Sequence, residues 1–261
     1  MITHHIPLIL SSSTASGAIN KSSDGSFFQV SLENGLLIPY NAKQCWIVCQ
    51  AAEVWNTSPN IITGKNDLIY FNDVMGALLI TIPQGLYDLT LLNAEINRQI
   101  VDSGRDSDTI VILGNSATQK TYIQFQDIGA SVDFTQPQTI RTILGFDSII
   151  VGPSVSANEL FMSQEEASFN NIDYFIIHTD LVSRGIRINN KYSQAVAQVL
   201  IDASPGSQIV SQPNNPPEIP AFELIGDKKT ILNVWLTDQD NNRVFTAGED
   251  FSLRLVIYYI A

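Results

Sequence analysis

The sequence predicts an all-β fold, a β-sandwich or jelly roll into which a small α/β segment is inserted. Three observations predict it. About eleven segments are rich in aromatic and β-branched residues and are bounded by turn formers. Several of them, such as IDYFIIHT and LRLVIYYI, are apolar almost without interruption, as strands are when both faces are covered by a second layer or a neighbouring subunit. Only one stretch, IPQGLYDLTLLNAEINRQI at 82–100, reads plainly as a helix.

The elements follow in order. Residues 11–26, SSSTASGAINKSSDGS, are small, polar and aperiodic, so 1–26 is expected to be a flexible N-terminal arm. Strands are expected at 27–32, 44–55, 67–71 and 77–82. In the helix Asp88 is the N-cap, and Leu89, Leu92, Ile96 and Ile100 recur on one face. Gly104 can close the far end. Strands at 109–114 and 121–126 come next, followed by a loop-rich segment from about 127 to 168. Further strands are expected at 172–179, 195–203, 207–211, 231–237 and 251–260. QPNNPPEIP, 212–220, is a rigid connector that cannot lie in a sheet interior. The implied division is 27–59 with 166–261 as the sandwich and 60–165 as an inserted α/β domain, in which the helix covers the apolar side of an open sheet.

Composition narrows the function. The charged fraction is 15%, below the usual quarter, while the hydrophobic fraction is 44%, so much of the outer surface is polar but uncharged and associates at low desolvation cost. The formal net charge of -12 and the lack of a basic run argue against direct nucleic-acid binding. MITHHIPLIL lacks the basic n-region of a secretory signal, and no stretch is apolar for long enough to span a membrane. Cys45 and Cys49, four apart on a strand, would lie on one face about 13 Å apart, which fits buried free thiols and not a disulfide.

Chemical constellations are sparse, and the expectation is no catalytic site, no cofactor and no metal. His178 stands two residues from Asp180, without a G-x-S-x-G serine or a second histidine at metal spacing, and reads as a core or interface histidine. Asp238, Asp240, Asn242 and Glu249 occupy positions 1, 3, 5 and 12 of a calcium-loop pattern. Arg243 replaces its turn glycine and the flanks are strands, so a polar hairpin loop is expected. Asn56-Thr57-Ser58 is a glycosylation sequon by pattern only. Arg184, Arg187 and Lys191 concentrate basic charge in one connection between strands, where they either meet an acidic neighbour or form a solvated loop.

Several segments resemble, in their order, the jelly-roll capsid proteins of double-stranded DNA viruses. They are PYNAKQCWIVCQAAEVWNTSPNI, ITIPQGLYDLTLLNAEINRQI, TIRTILGFDS, IDYFIIHTDLVSRGIRIN and ILNVWLTDQDNNRVFTAGEDFSLRLVIYYI. The pattern from Gly85 to Asn97, the run Ile143-Leu144-Gly145-Phe146, and the C-terminal strand pair carry the likeness to vertex (penton) proteins of virophages and polinton-like viruses. The adenovirus penton base is a more distant likeness.

This resemblance implies a single jelly roll with an inserted domain, five copies of which form the vertex of an icosahedral shell. It further implies a homopentamer contacting neighbouring major and minor capsid proteins, located in the virion and assembled inside the infected host cell. Arg184, Arg187 and Lys191 are then expected at the subunit boundary. The alternatives are a receptor- or carbohydrate-binding spike module and a small major capsid protein forming trimers. Arg-Gly-Asp, found in some adenovirus relatives, is absent: Arg184-Gly185 is followed by Ile186.

Overall fold

The computed structural model describes residues 3–169 and 172–261, and the chain divides into two compact units, Met1–Ser58 with Ile172–Ala261, and Pro59–Asn171. In chain order the first unit contributes β1 (Thr3–Ser11), β2 (Ala18–Ile19), β3 (Phe27–Leu37) and β4 (Gln44–Trp55). The second holds β5 (Leu68–Asp73), β6 (Gly76–Thr81), α1 (Leu89–Asp102), β7 (Ile110–Asn115), β8 (Lys120–Phe125), β9 (Ser131–Asp133), α2 (Arg141–Leu144), β10 (Ile150–Val151) and β11 (Glu159–Met162). The chain then returns to the first unit with β12 (Tyr174–Thr179), β13 (Arg187–Ile188), β14 (Lys191–Tyr192), β15 (Ala195–Leu200), β16 (Gln208–Ser211), β17 (Glu218–Pro220), β18 (Lys228–Thr237) and β19 (Ser252–Ile260).

The first unit consists mainly of two five-stranded sheets. One runs β1-β19-β4-β16, with β17 also on β4, and the other runs β15-β12-β18-β3-β2. Among the principal strands β1, β3, β4, β12, β15, β16, β18 and β19, these orders are first-eighth-third-sixth and fifth-fourth-seventh-second. That is the strand order of a single jelly roll, with the second unit inserted between its third and fourth strands. One buried cluster fills its interior, with Phe28, Ile47, Phe175, Ile177, Leu255 and Ile257 among the buried side chains. Strand β4 shows how sequence sets the inner face. Cys45, Ile47 and Cys49 point inward at odd positions, yet Ala52 and Val54 do so at even ones. A bulge reconciles them: Leu255 pairs with Cys49 and Arg254 with Ala51, so Gln50 is the extra residue that shifts the alternation. Cys45 and Cys49 are buried free thiols, and burial raises them to about 11 and about 12.

The expected flexible arm is corrected. Thr3–Ser11 is an edge strand paired with β19 along its whole length, from Thr3 opposite Ile260 to Ser11 opposite Ser252. Ile6, Leu8 and Leu10 pack on the core, and Pro7 is tolerated because the strand is at an edge. His4 and His5 lie against Tyr259 and Tyr258 at 4.9 and 6.3 Å between ring centroids. The polar stretch after β1 is ordered by its own side chains. Asp24 accepts from Ser22 Oγ, Ser26 N and Ser26 Oγ at 2.5–2.8 Å, and Lys21 pairs with Asp250 at 2.6 Å. Met1 and Ile2, the start of that expected arm, lie outside the described residues, as do Asn170 and Asn171.

In the second unit α1 forms where its pattern predicts. Asp88 caps it, accepting from Leu91 N at 2.7 Å, and Leu92, Ile96 and Ile100 are buried. Each such burial contributes about 1.5–3 kcal/mol. The helix also closes two sheet edges. Asn93 gives Nδ2 to Ile112 O and takes Ile112 N, at 2.7 and 2.8 Å, on β7, the edge of the sheet β11-β8-β7. Gln99 does the same to Thr81 O and N, at 2.7 and 3.0 Å, on β6, the edge of β10-β9-β5-β6. The two amide side chains thus stand in for missing neighbour strands. The region expected to be loop-rich holds β9, α2, β10 and β11, elements too short to carry a period.

Candidate assembly surface

The residues with chemical potential are turned to structural use. His178 is buried, its Nε2 is 2.9 Å from Thr237 Oγ1, and its ring lies parallel to Trp235 at 5.3 Å. Burial, with Arg243 nearby, lowers its pKa to about 4, so it is neutral at pH 7. Asp180 does not meet it, because both its carboxylate oxygens accept from Asn233, at 3.0 and 2.5 Å. In the calcium-like loop, Asp238 accepts the N–H groups of Asp240 and Asn242 at 2.9 and 2.8 Å, as an Asp in a tight turn does. Arg243 turns away to lie 5.5 Å over Phe27 and 5.6 Å over Trp235. Among the described residues, no three His, Cys, Asp or Glu side chains gather as a metal site. Asn56 of the sequon is buried and donates to Ala203 O at 2.8 Å.

Arg184, Arg187 and Lys191 are brought together on a small hairpin. Strands β13 and β14 pair Arg187 with Tyr192 and Ile188 with Lys191, and Asn189 turns the chain at φ 52°. The base is fixed by backbone contact. Gly185 N donates to Ser193 O at 2.6 Å and Ile186 N to Ala195 O at 2.7 Å, and a Cβ on Gly185 would stand 2.1 Å from Ala195 O. Only glycine fits that approach. At the exposed end the Arg184 and Arg187 guanidinium carbons lie 6.0 and 5.6 Å from the Tyr192 ring centroid. All four side chains are exposed, and none of the three cations has a salt bridge among the described residues. An open cleft of about 530 Å³ adjoins the hairpin, lined in part by Arg184, Tyr192, Pro217, Pro220 and Phe222. The pair Asn189-Asn190 between Ile188 and Lys191 is the sequence signal that points to this hairpin.

A second surface was not foreseen. At one end of the sheet β10-β9-β5-β6, three neighbouring turns present Val74, Met75, Ile128 and Val155, which are 79%, 61%, 60% and 78% exposed. Register brings them together: Asn72 pairs with Ser131, and Gly129 N donates to Ser154 O at 2.8 Å. Turn tips are ordinarily polar. Here the polar groups face inward and are satisfied. Arg105 donates to both Asp73 oxygens at 2.7 and 3.1 Å and to Gly76 O at 2.8 Å, while Met75 N donates to Asp73 Oδ1 at 2.8 Å. Ser154 Oγ joins the other two turns by donating to Asp127 O and accepting from Ala130 N.

No protein-family model matches the chain, and no curated protein matches it. Among solved structures it is similar to the mavirus penton protein. The likeness covers 98% of this chain and 100% of that one, at 10% identity and a TM-score of 0.47.

Proposed function

We propose that this chain is a structural subunit of a viral capsid, and that five copies form the vertex of an icosahedral shell. The observation that carries the reading is the single jelly roll, joined to exposed apolar side chains that a free monomer would keep covered. Jelly rolls serve capsids, lectins and cupins. The cupin use needs clustered metal ligands, whereas His178 is committed to Thr237 and Trp235 and the other two histidines sit on the edge strand β1. Ile9 on that strand and the tips at Val74, Met75, Ile128 and Val155 suit surfaces that neighbouring shell proteins cover. The order of the sequence segments adds the vertex role, because a single jelly roll with an insertion after its third strand fits that resemblance better than a stack of two.

A low-resolution reconstruction of the assembled particle, with the chain labelled, tests the proposal. Label confined to the fivefold positions is expected. Label spread over the facets would make the chain a major shell protein, and its absence from particles would overturn the capsid reading.

A further inference from the structure

Among the described residues, three cations stand together without a salt bridge in a chain of net charge -12. We propose that the hairpin bearing Arg184, Arg187, Lys191 and Tyr192 grips carboxylates on a second copy of this chain, an inference that rests on the ring reading above. The hairpin is built for such a contact. Arg184 and Arg187 lie over one tyrosine ring, which restrains their rotamers before any partner arrives and so lowers the ordering cost of binding. At 5.6–6.0 Å from the ring centroid both groups are held by cation–π attraction, and their N–H groups stay available to a planar acceptor. Among the described residues, the one hydrogen bond from either is a long one, from Arg187 Nη2 to Asn190 O at 3.4 Å. Backbone contact at Gly185 holds the hairpin base, so the charges are presented from a fixed position.

Charge complementarity names the occupant. In the same unit Glu33, Asp202 and Glu249 are exposed without ion pairs among the described residues, whereas Asp240 lines a cleft beside Lys191 and Tyr192 of the hairpin itself. A heterologous ring joins two different surfaces of the subunit, so cations of one copy can meet carboxylates of the next. A nucleic-acid phosphate would also suit guanidinium groups. Three cations on so acidic a chain make a weak polyanion site, since the rest of the field repels it.

The test mixes equal amounts of nitrogen-15-labelled and unlabelled protein, joins contacting amines and carboxylates with a carbodiimide, and reads the linked peptides by mass. Lys191 is expected in links of mixed isotope, which can form only between copies. The double variant Arg184→Glu with Arg187→Glu should associate at least tenfold more weakly at moderate salt while keeping the parent's circular dichroism. Tyr192→Ala should weaken association by a smaller factor. If the variant assembles like the parent, or Lys191 links only within its own copy, the hairpin is not the contact although the ring reading stands. If the parent forms no ring, both fall. A fluorescent DNA 20-mer retained by the parent and lost with the double variant would make nucleic acid the partner and overturn the proposal.

Discussion

Lowering the pH from 7 to 4 should destabilise the jelly-roll unit through His178. This imidazole is 2% exposed, bonded to Thr237 and stacked on Trp235, and it stays neutral down to about 4. In the unfolded chain it takes a proton near 6.5. Between those values the unfolded state binds more protons, so stability falls as pH falls through the interval and levels off below about 4. At about 1.4 kcal/mol for each pH unit, the loss is about 3 kcal/mol. Carboxylates such as Asp24 and Asp250, whose values are lowered in the fold, add to acid sensitivity and must be subtracted. Urea melts of the parent and of His178→Gln, at matched pH values from 7 to 4, do this. Both proteins lose the carboxylate contribution, and only the parent loses the histidine one. The stability difference between them should shift by about 3 kcal/mol in favour of the glutamine variant on acidification. A difference independent of pH would refute the reasoning.

Other outcomes follow from the same physics. Arg105→Ala leaves Asp73 buried without its partner, and thermal melts should show the second unit destabilised by about 3–5 kcal/mol. Asn93→Ala strands both backbone groups of Ile112 on an edge that α1 otherwise closes, and should cost about 1–3 kcal/mol in a denaturant melt. Limited proteolysis of the free subunit should leave residues 3–26 attached, because Thr3–Ser11 is paired throughout with β19. Rapid trimming to residue 26 would restore the flexible-arm expectation.

The parts of the fold legible in the sequence were those with a strong apolar signal, continuous or periodic. Strands such as β12 and β19 declare themselves as near-continuous apolar runs, and the stripe Leu92, Ile96 and Ile100 by the period that burial on one helix face imposes. The edge strand β1 did not, since Pro7 and two histidines break an alternation that only Ile6, Leu8 and Leu10 carry. The order of residues 12–26 rests on hydroxyl and carboxylate bonds, and polar composition reads the same whether or not those bonds form. The helix was legible as a cover, but Asn93 and Gln99 as edge partners were not, because nothing local distinguishes an amide that meets a strand from one that meets water. At the candidate site the basic residues were visible as a cluster. Their arrangement around Tyr192 depends on the turn at Asn189 and the close approach at Gly185, which only the fold reveals. The apolar tips at Val74 and Val155 were not legible, because turns are ordinarily polar and no local pattern marks the exception.

The mass of the purified protein at moderate salt and micromolar concentration tests the central claim most directly. Each chain is 28.8 kDa. A closed ring with the mass of five chains is predicted. A stable monomer, or a particle with the mass of three chains, would contradict it.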